Sequence, residues 1–507
     1  MGQQSSQKSE YFLTRWLFLR LLALVYFFAF SSLATQAVNL FGSHGILPIN
    51  EFLYLVKMNL GNSGAAVLPT LFWFNDSDLM LRAVCILGSI LSLAAVLGMG
   101  TGCVFLLLWI LYLSLVNVGQ DFLSFQWDAL LLEIGFLAVF FAPWQILEWP
   151  WTNNVKQPPK IILWLLWWLL FRLMFESGLV KLASGDPAWH NLSALDFHYL
   201  TQPLPTPLAW YAAKLPHWFN EISVVLVFVI ELGIPFLIFM GRKARIFAAA
   251  LLVFLQFLIA LTGNYAYFNL LTFALCICLL DDQFMRNIVM QLCSQTGIIR
   301  SRLKNMLTDQ FLVQPLDKKS KAMSIVIGTF FLCLSIGSLG RGFVGVLPIP
   351  AFLEGLHDLV STYYICNNYG LFAVMTTKRI EIQIEGSNDK SLWQEYQFKY
   401  KPGNLATVPC VVAPFQPRLD WQMWFAALGD PGHDRWFVNL LYRLLQGEKT
   451  TLQLLAKNPF PNSPPKYIRA KFYDYQFTNA SEHQATGNWW KRTYLGECMP
   501  VLTLGDR

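Results

Sequence analysis

The feature that most constrains this chain is a series of long apolar stretches before residue 343. A hydrocarbon core about 30 Å thick needs about 20 apolar residues for one helical crossing, and in lipid only helices or closed barrels satisfy their backbone hydrogen bonds. The sequence therefore predicts an all-α, multi-pass membrane domain of about nine transmembrane helices over residues 1–342. The stretches lie at about 17–38, 80–98, 101–118, 129–147, 160–182, 222–241, 245–262, 264–280 and 322–342.

The composition agrees with a membrane protein. Of the 507 residues 55% are hydrophobic and 13% are charged, whereas a soluble domain has about 25% charged residues. The net charge of +6 comes largely from basic residues between apolar stretches, where they orient the chain in the membrane. We therefore expect membrane lipid as a partner and no nucleic acid.

The distribution of lysine and arginine predicts the orientation. With the N-terminus in the cytoplasm, fifteen basic residues fall in inner segments, against Lys57, Lys214 and the span-edge Arg82 outside. Cytoplasmic loops carry such an excess. An odd number of spans then leaves residues 343–507 outside the cytoplasm. Three potential glycosylation acceptors, Asn75, Asn191 and Asn479, also fall on this outer side.

Residues 343–507 read as a small, mainly β domain with short helices. Residues Arg379 to Glu385 alternate polar and apolar side chains, a turn signal follows, and an aromatic run from Trp393 to Tyr400 completes a predicted β-hairpin. Further elements are predicted as helices over 421–428, 435–445 and 451–457, and as a late strand over 467–477.

Three ionisable residues stand at membrane depth, where charges are expensive and are functional candidates by default. Arg172 lies near the middle of the fifth span, and Glu176 follows on the same helical face. Glu231, in the sixth span, is a second possible partner for Arg172. The alternative interpretation is a buried network that fixes helix packing.

Lys181 lies near the outer end of the fifth span and precedes an unusual outer segment. Its ammonium could extend to the lipid headgroups, or it could lose its proton and act as a base. Asp186 and His198 follow in the same segment. We consider a functional loop there, and alternatively an interfacial loop that Trp189 and Tyr199 anchor.

No motif points to a metal or cofactor. The sequence has no metal-ligand spacing, no nucleophile elbow and no phosphate-binding glycine loop, so we expect no metal, no cofactor and no enzyme activity. Cys366, Cys410 and Cys498 lie in the C-terminal domain. One pair of them could oxidise if that domain is extracytoplasmic.

Several longer motifs extend over most of the chain. They are Phe41-Gly-Ser-His-Gly-Ile-Leu-Pro48, Gln126-Trp-Asp-Ala-Leu-Leu-Leu-Glu133, the 176–215 stretch, Leu261-Thr-Gly-Asn-Tyr265, Tyr369-Gly-Leu-Phe-Ala-Val-Met-Thr-Thr-Lys-Arg379, Gln416-Pro-Arg-Leu-Asp-Trp-Gln-Met-Trp424, Asn458-Pro-Phe-Pro461 and Pro464-Pro-Lys-Tyr467. In these motifs the chain resembles the lipase maturation factor family. The resemblance implies a multi-pass membrane protein that assists folding of secreted lipases on the lumenal side. The membrane would be the endoplasmic reticulum in a eukaryote and the inner membrane in a bacterium.

In a shorter segment, Gly178-Leu-Val-Lys-Leu182 is followed by Asp186 and Trp189. This segment is similar to the vitamin K-dependent γ-carboxylase-like membrane domain. This likeness implies an integral membrane enzyme with Lys181 as its base, helped by Asp186 or His198. A transporter is a third possibility, although the chain has no inverted repeat that would favour it.

For the maturation factor, the clients are expected to be secreted proteins, possibly lipases, bound by the outer domain. Aromatic side chains dominate protein recognition, which makes Trp421 and Trp424 candidate client anchors if they are exposed. The competing interpretation places both tryptophans in the domain core.

Overall fold

The computed structural model describes residues 7–8, 10–148, 155–296, 312–342 and 351–506. The helices before residue 343 are α1 (Phe12–Ala34), α2 (Ala37–Phe41), α3 (Ile49–Leu60), α4 (Gly64–Val67), α5 (Asp78–Val96), α6 (Thr101–Val118), α7 (Gln126–Phe141), α8 (Lys160–Ala183), α9 (Pro187–His190), α10 (Ala194–Thr201), α11 (Pro207–Ala212), α12 (His217–Phe228), α13 (Arg242–Thr262), α14 (Phe268–Ile277), α15 (Asp282–Thr296) and α16 (Lys318–Gly342).

The helices after residue 350 are α17 (Ala351–Val360), α18 (Arg418–Ala426), α19 (Arg435–Leu445), α20 (Lys449–Leu452) and α21 (Ala480–Thr486). The strands are β1 (Gln7–Lys8), β2 (Val155–Lys156), β3 (Leu312–Gln314), β4 (Arg379–Ser387), β5 (Gln394–Glu395), β6 (Gln397–Phe398), β7 (Leu455–Lys457), β8 (Tyr467–Phe477) and β9 (Trp490–Leu502). Short 3-10 turns lie at Gly61–Ser63, Leu71–Trp73, Gln120–Leu123, Ile234–Phe239, Ser361–Tyr363, Pro431–His433 and Leu504–Asp506.

The predicted count of nine transmembrane helices is not confirmed. Within the described residues, seven helices are long and apolar enough to cross a membrane, or eight if one bent pair counts as a span. The seven are α1, α5, α6, α8, the composite helix His217–Phe239, α13 and α16, the last counted over Lys318–Leu339. The bent pair is α14 with the first part of α15.

The two predicted spans that fall short have identifiable reasons. Helix α7 has 16 residues, which at about 1.5 Å per residue gives about 24 Å. It ends where Pro143 disfavours a helical conformation at Ala142. Helix α14 has 10 residues, and the chain turns by 104° into α15. At both places the sequence stays apolar for several residues beyond the point where the helix ends.

At one end of the bundle, two acidic side chains bind the N-terminal helix α1. The Asp282 carboxylate accepts backbone N–H groups of Phe12 and Leu13 at 2.9 and 2.8 Å, and so caps the start of α1. Arg20 Nη1 donates to Glu148 at 2.6 Å. The C-terminal part of the chain packs at the opposite end, where α1, α6, α8 and α13 finish and α7, α12 and α14 begin.

The C-terminal part is built on an antiparallel sheet in the order β5-β4-β8-β9. The predicted strand over 467–477 and the predicted helix over 435–445 are both present, and α18 lies two to three residues before its predicted bounds. The predicted hairpin is only partly correct. Strand β4 pairs along its whole length with β8, from Arg379 opposite Tyr475 to Ser387 opposite Tyr467.

The aromatic run 393–400 contributes only two residue pairs to β4. The helix predicted over 451–457 is wrong, because α20 ends at Leu452 and β7 follows at Leu455. A short helix that is followed by a strand has too few residues to establish either period. Buried apolar residues of the bundle and of the C-terminal part form one continuous core.

Candidate functional site

A buried ion pair between Lys181 and Glu231 forms the centre of the candidate site. Lys181 Nζ lies 2.9 and 2.7 Å from the two carboxylate oxygens of Glu231 and donates to the Ser177 carbonyl at 3.1 Å. The expectation that Lys181 extends to the headgroups is therefore wrong, since its side chain is turned into the bundle and is 7% exposed. All three of its N–H donors have acceptors.

Two local features bring this pair together. Residues Val229–Gly233 form a π-helical turn in the composite helix, a departure from α geometry that often occurs at functional sites. Gly178 allows the two helices to approach, because a Cβ there would lie 2.9 Å from the Glu231 Cβ and the Leu232 side chain. A larger residue at 178 would push the helices apart.

Beside the ion pair lies a cavity of about 110 Å³. Its walls come from α8, α10, the composite helix, α13, α14 and the segment after α17, and they are mostly apolar. The lining includes Lys181, Trp189, His198, Glu231 and Tyr265. The structure therefore brings Lys181, His198 and Glu231 together, although they are up to 50 residues apart in sequence.

The C-terminal part closes this cavity with Phe372. Its backbone has a positive φ of 56°, which is unusual for a bulky residue and requires support from its surroundings. The Phe372 carbonyl accepts the Trp189 indole N–H at 2.9 Å. Its ring packs edge-to-face on His198 and Tyr265, with centroids 4.8 and 5.8 Å apart.

His198 is neutral in this setting. Burial, together with the positive charge of Lys181, lowers the pKa of His198 to about 4. Its Nε2 lies 3.2 Å from the Tyr265 hydroxyl, which donates to Gln202 Oε1 at 2.7 Å. Because the tyrosine proton is used there, Nε2 must carry the imidazole proton and Nδ1 remains an acceptor.

Asp186 does not reach the cavity. Its carboxylate accepts the Ala188 N–H at 2.7 Å and so caps α9. It also accepts the backbone N–H of Met375. Asp186 therefore anchors the C-terminal part, and the grouping of Lys181 with Asp186 and His198 is only partly found.

The expected partners of Arg172 are wrong. Its guanidinium pairs with Glu133 of α7. The other Glu133 oxygen accepts the Tyr369 hydroxyl at 2.7 Å and the Asn367 backbone N–H at 2.9 Å. Glu133 is 39 residues from Arg172 in sequence, so packing of α7 against α8 supplies this partner and helical spacing alone could not predict it.

Glu176 instead accepts the backbone N–H of Tyr369 at 2.8 Å. Glu231 pairs with Lys181 rather than with Arg172. The residues predicted as one intramembrane network therefore belong to two. The first fixes residues 366–369 to α7 and α8, and the second lies at the cavity.

A third network was not predicted. Arg418 of α18 donates to both carboxylate oxygens of Asp128 at the start of α7, at 2.9 and 2.8 Å. Tyr267 donates to the same carboxylate at 2.6 Å. Asp128 lies just before the predicted apolar stretch 129–147, and Glu133 lies inside it. Charged residues at membrane depth are energetically costly, and this cost could have identified both as network residues from the sequence.

Trp421 and Trp424 are core residues. They are 3% and 8% exposed, so the expectation of exposed anchors is wrong. The Trp421 ring packs against Trp127 at a centroid distance of 4.7 Å, and the Trp424 N–H donates to the Thr201 carbonyl at 2.8 Å. The exposed aromatic beside them is Phe425, which is 44% exposed.

Cys366, Cys410 and Cys498 are free thiols, so none of the considered disulfides is formed. Among the residues that the structure describes, no cluster of histidine, cysteine, aspartate and glutamate could hold a metal ion.

The long apolar helices indicate a multi-pass membrane protein, and the C-terminal part is joined to one end of its bundle through buried polar networks. Residues 13–287 match the lipase maturation factor transmembrane domain, and residues 365–500 match the lipase maturation factor C-terminal domain. The chain belongs to the lipase maturation factor family.

Curated relatives match it over nearly its full length. Lipase maturation factor 2 of Xenopus laevis is 37% identical over 98% of this chain and 83% of its own length. The human protein of that name is 37% identical over 97% of this chain and 83% of its own length. Lipase maturation factor 1 of Bos taurus is 34% identical over 98% of this chain and 90% of its own length. No solved structure matches the chain.

Proposed function

We propose that this protein is a membrane-bound maturation factor that assists the folding of secreted lipases or similar secreted clients. The observation that carries the proposal is the match to relatives named lipase maturation factor over 97–98% of the chain. The membrane would be the endoplasmic reticulum in a eukaryotic cell. The C-terminal part would face the lumen, as the distribution of basic residues predicts.

The way the C-terminal part is attached supports a rigid client platform. Arg379 donates to the Leu200 and Pro203 carbonyls at 2.8 Å, and Asn264 accepts the Val412 and Ala413 backbone N–H groups at 2.6 and 3.0 Å. These bonds lie at the ends of two helices, α10 and α13. The client surface would therefore have a fixed orientation to the membrane from which clients emerge.

Phe425 and Leu428 are our candidates for part of that surface. They are 44% and 46% exposed; Phe425 lies in the last turn of α18, and Leu428 lies two residues after the helix ends. Aromatic side chains dominate protein recognition, so Phe425 is the proposed anchor and Leu428 extends its apolar surface. They replace Trp421 and Trp424, which are buried.

The test is complementation in cells that lack their own lipase maturation factors. Expression of this chain should restore secretion of active lipase, measured as activity per mass of secreted enzyme. Phe425→Ser with Leu428→Ser should reduce that activity at unchanged membrane abundance. A matched control is Leu392→Ser, another exposed apolar residue of the C-terminal part. If no secreted lipase gains activity from the wild-type chain, the proposed function fails.

A deletion of residues 343–507 is a poor substitute for these variants. The C-terminal part shares its core with the bundle. Its loss would remove Arg418, the ionic partner of Asp128, and the Met375 N–H that Asp186 accepts. Unpaired buried charges destabilise strongly.

The second candidate is an integral membrane enzyme with Lys181 as base, and the buried lysine beside a cavity is the observation that favours it. The geometry favours a structural role, because two hydrogen bonds join the Lys181 ammonium to Glu231 and a third joins it to the Ser177 carbonyl.

A further inference from the structure

The cavity beside Lys181 has unpaired polar groups on its wall. Gln256 and Asn269 both line it and are 5% and 6% exposed. Neither Gln256 Oε1 nor Asn269 Oδ1 has a hydrogen-bond partner among the described residues. A buried acceptor without a donor is destabilising, so two in one small cavity favour a ligand that supplies a donor.

The remaining polar groups of the wall are also acceptors or are already engaged. Lys181 has used its three donors, and His198 keeps Nδ1 as an acceptor. A carboxylate would bring only more acceptors and would face Glu231. An ammonium would compete with Lys181 for that carboxylate. A neutral hydroxyl both donates and accepts, so it can pair with either end of the two amides.

The apolar part of the cavity is on the side of the lipid. Val227 and Ile259 line it and are half-buried, whereas their neighbours Leu226 and Leu258 are 52% and 43% exposed on the outer surface of the bundle. About 110 Å³ is less than the 150 Å³ or so of a cavity that binds benzene. A lipid bound here would therefore place only its end in the cavity, with the remainder outside.

We propose that this cavity binds the hydroxyl end of a neutral, single-chain lipid, a long-chain alcohol or a monoacylglycerol. The hydroxyl donates its one proton to the carbonyl oxygen of Gln256 or of Asn269, and the second hydroxyl of a monoacylglycerol can donate to the other. The chain passes between Val227 and Ile259 into the bilayer. Phe372 closes the opposite side, so the ligand contacts a residue of the C-terminal part. This binding site is independent of the proposed maturation function.

The test uses the full-length protein in nanodiscs and three photoreactive probes with the same alkyl chain, ending in a hydroxyl, a carboxylate or an amine. The hydroxyl probe should label α12 and α13 saturably, at least about tenfold better than the other two. Unlabelled oleyl alcohol should compete.

Two sets of variants locate the site. Ile259→Trp should block the opening and abolish saturable labelling, whereas Leu258→Trp, one position away on the lipid-facing surface, should label as the wild type does. Gln256→Leu with Asn269→Leu keeps the volume and removes the acceptors. This double variant should reduce labelling by the hydroxyl probe about tenfold or more. Its thermal unfolding temperature should stay the same or rise, because the unpaired amide oxygens are gone.

Equal labelling by the three probes would overturn the proposal, since it would mean that the cavity does not distinguish the hydroxyl. Undiminished labelling of Ile259→Trp, or labelling that never saturates, would also overturn it. Either result would mean that the hydroxyl probe only samples the lipid-facing surface.

Discussion

Arg418 and Asp128 are 290 residues apart in sequence, and both side chains are 0% exposed. Their two parallel hydrogen bonds, 2.9 and 2.8 Å long, join α18 of the C-terminal part to α7 of the bundle. This bidentate geometry is the strongest form of an arginine–carboxylate contact.

We expect Arg418→Met to destabilise the protein by about 3–5 kcal/mol, because it leaves the Asp128 carboxylate buried and unpaired. Arg418→Met with Asp128→Asn should cost less than the single change. The exposed pair Arg435 and Glu51 is the matched control, and Arg435→Met should cost at most about 1 kcal/mol. Thermal unfolding in detergent measures all three, and similar losses for Arg418→Met and Arg435→Met would contradict the structure.

Lys181 separates a maturation factor from an enzyme. Lys181→Arg keeps the charge that pairs with Glu231, so client maturation should be largely retained. Lys181→Met leaves the Glu231 carboxylate unpaired and should lower client maturation. A catalytic base would respond differently, because a guanidinium does not deprotonate in proteins.

The measurement for Lys181 is secreted lipase activity at matched protein level. Adding Glu231→Gln to Lys181→Met should restore protein abundance if the pair is structural. Loss of activity in both single variants, with insertion and abundance unchanged, would support the enzyme instead.

Gly178 tests the contact between α8 and the π-helical turn. Gly178→Ala should lower stability by about 1–3 kcal/mol, since its Cβ would meet Glu231 and Leu232 at 2.9 Å. Gly233→Ala, where a Cβ meets nothing within 4 Å, is the control and should be neutral or slightly stabilising. Equal unfolding temperatures for the two variants would show that the helices do not approach this closely.

The buried carboxyl of Asp420 should make the stability of the C-terminal part depend on pH. Burial raises the pKa of Asp420 to about 6, against the opposing effect of backbone N–H donors from Lys401 and Tyr400. Between about pH 4 and pH 6 the native state holds a proton that the unfolded state releases, so this group makes stability fall as pH rises. Asp420→Asn removes the titration and keeps an acceptor.

The free energy of unfolding of Asp420→Asn, relative to the wild type, should therefore rise between pH 4 and pH 7, by up to about 3 kcal/mol. A difference that stays constant over this range would show that the carboxyl titrates normally.

The orientation of the chain in the membrane remains a prediction, and C-terminal fusion proteins can test it. The excess of basic residues in the predicted inner loops places the C-terminus outside, so in a bacterial host a C-terminal alkaline phosphatase should be active and a C-terminal fluorescent protein dark. In a eukaryotic host Asn75, which is exposed beside the start of α5, should be glycosylated. The reverse pattern of fusion activities would refute the orientation.

The sequence by itself determined the elements whose signal is local. Apolar stretches located α1, α5, α6, α8, α13 and α16, because the cost of exposing backbone and charge in lipid acts on each segment separately. Alternation located β4 and β8, because a strand exposes its two faces in turn. The family motifs likewise lie within short segments of the chain.

Only the tertiary structure decided which charges pair and which aromatics are buried. Glu133 is 39 residues from Arg172, and Glu231 is 50 from Lys181, so packing between helices chose these partners over the adjacent Glu176. The C-terminal part covers the bundle end and buries Trp421, which an isolated domain could have exposed. Desolvation makes each buried charge require a partner, but it does not specify which one; the geometry of the assembled fold does.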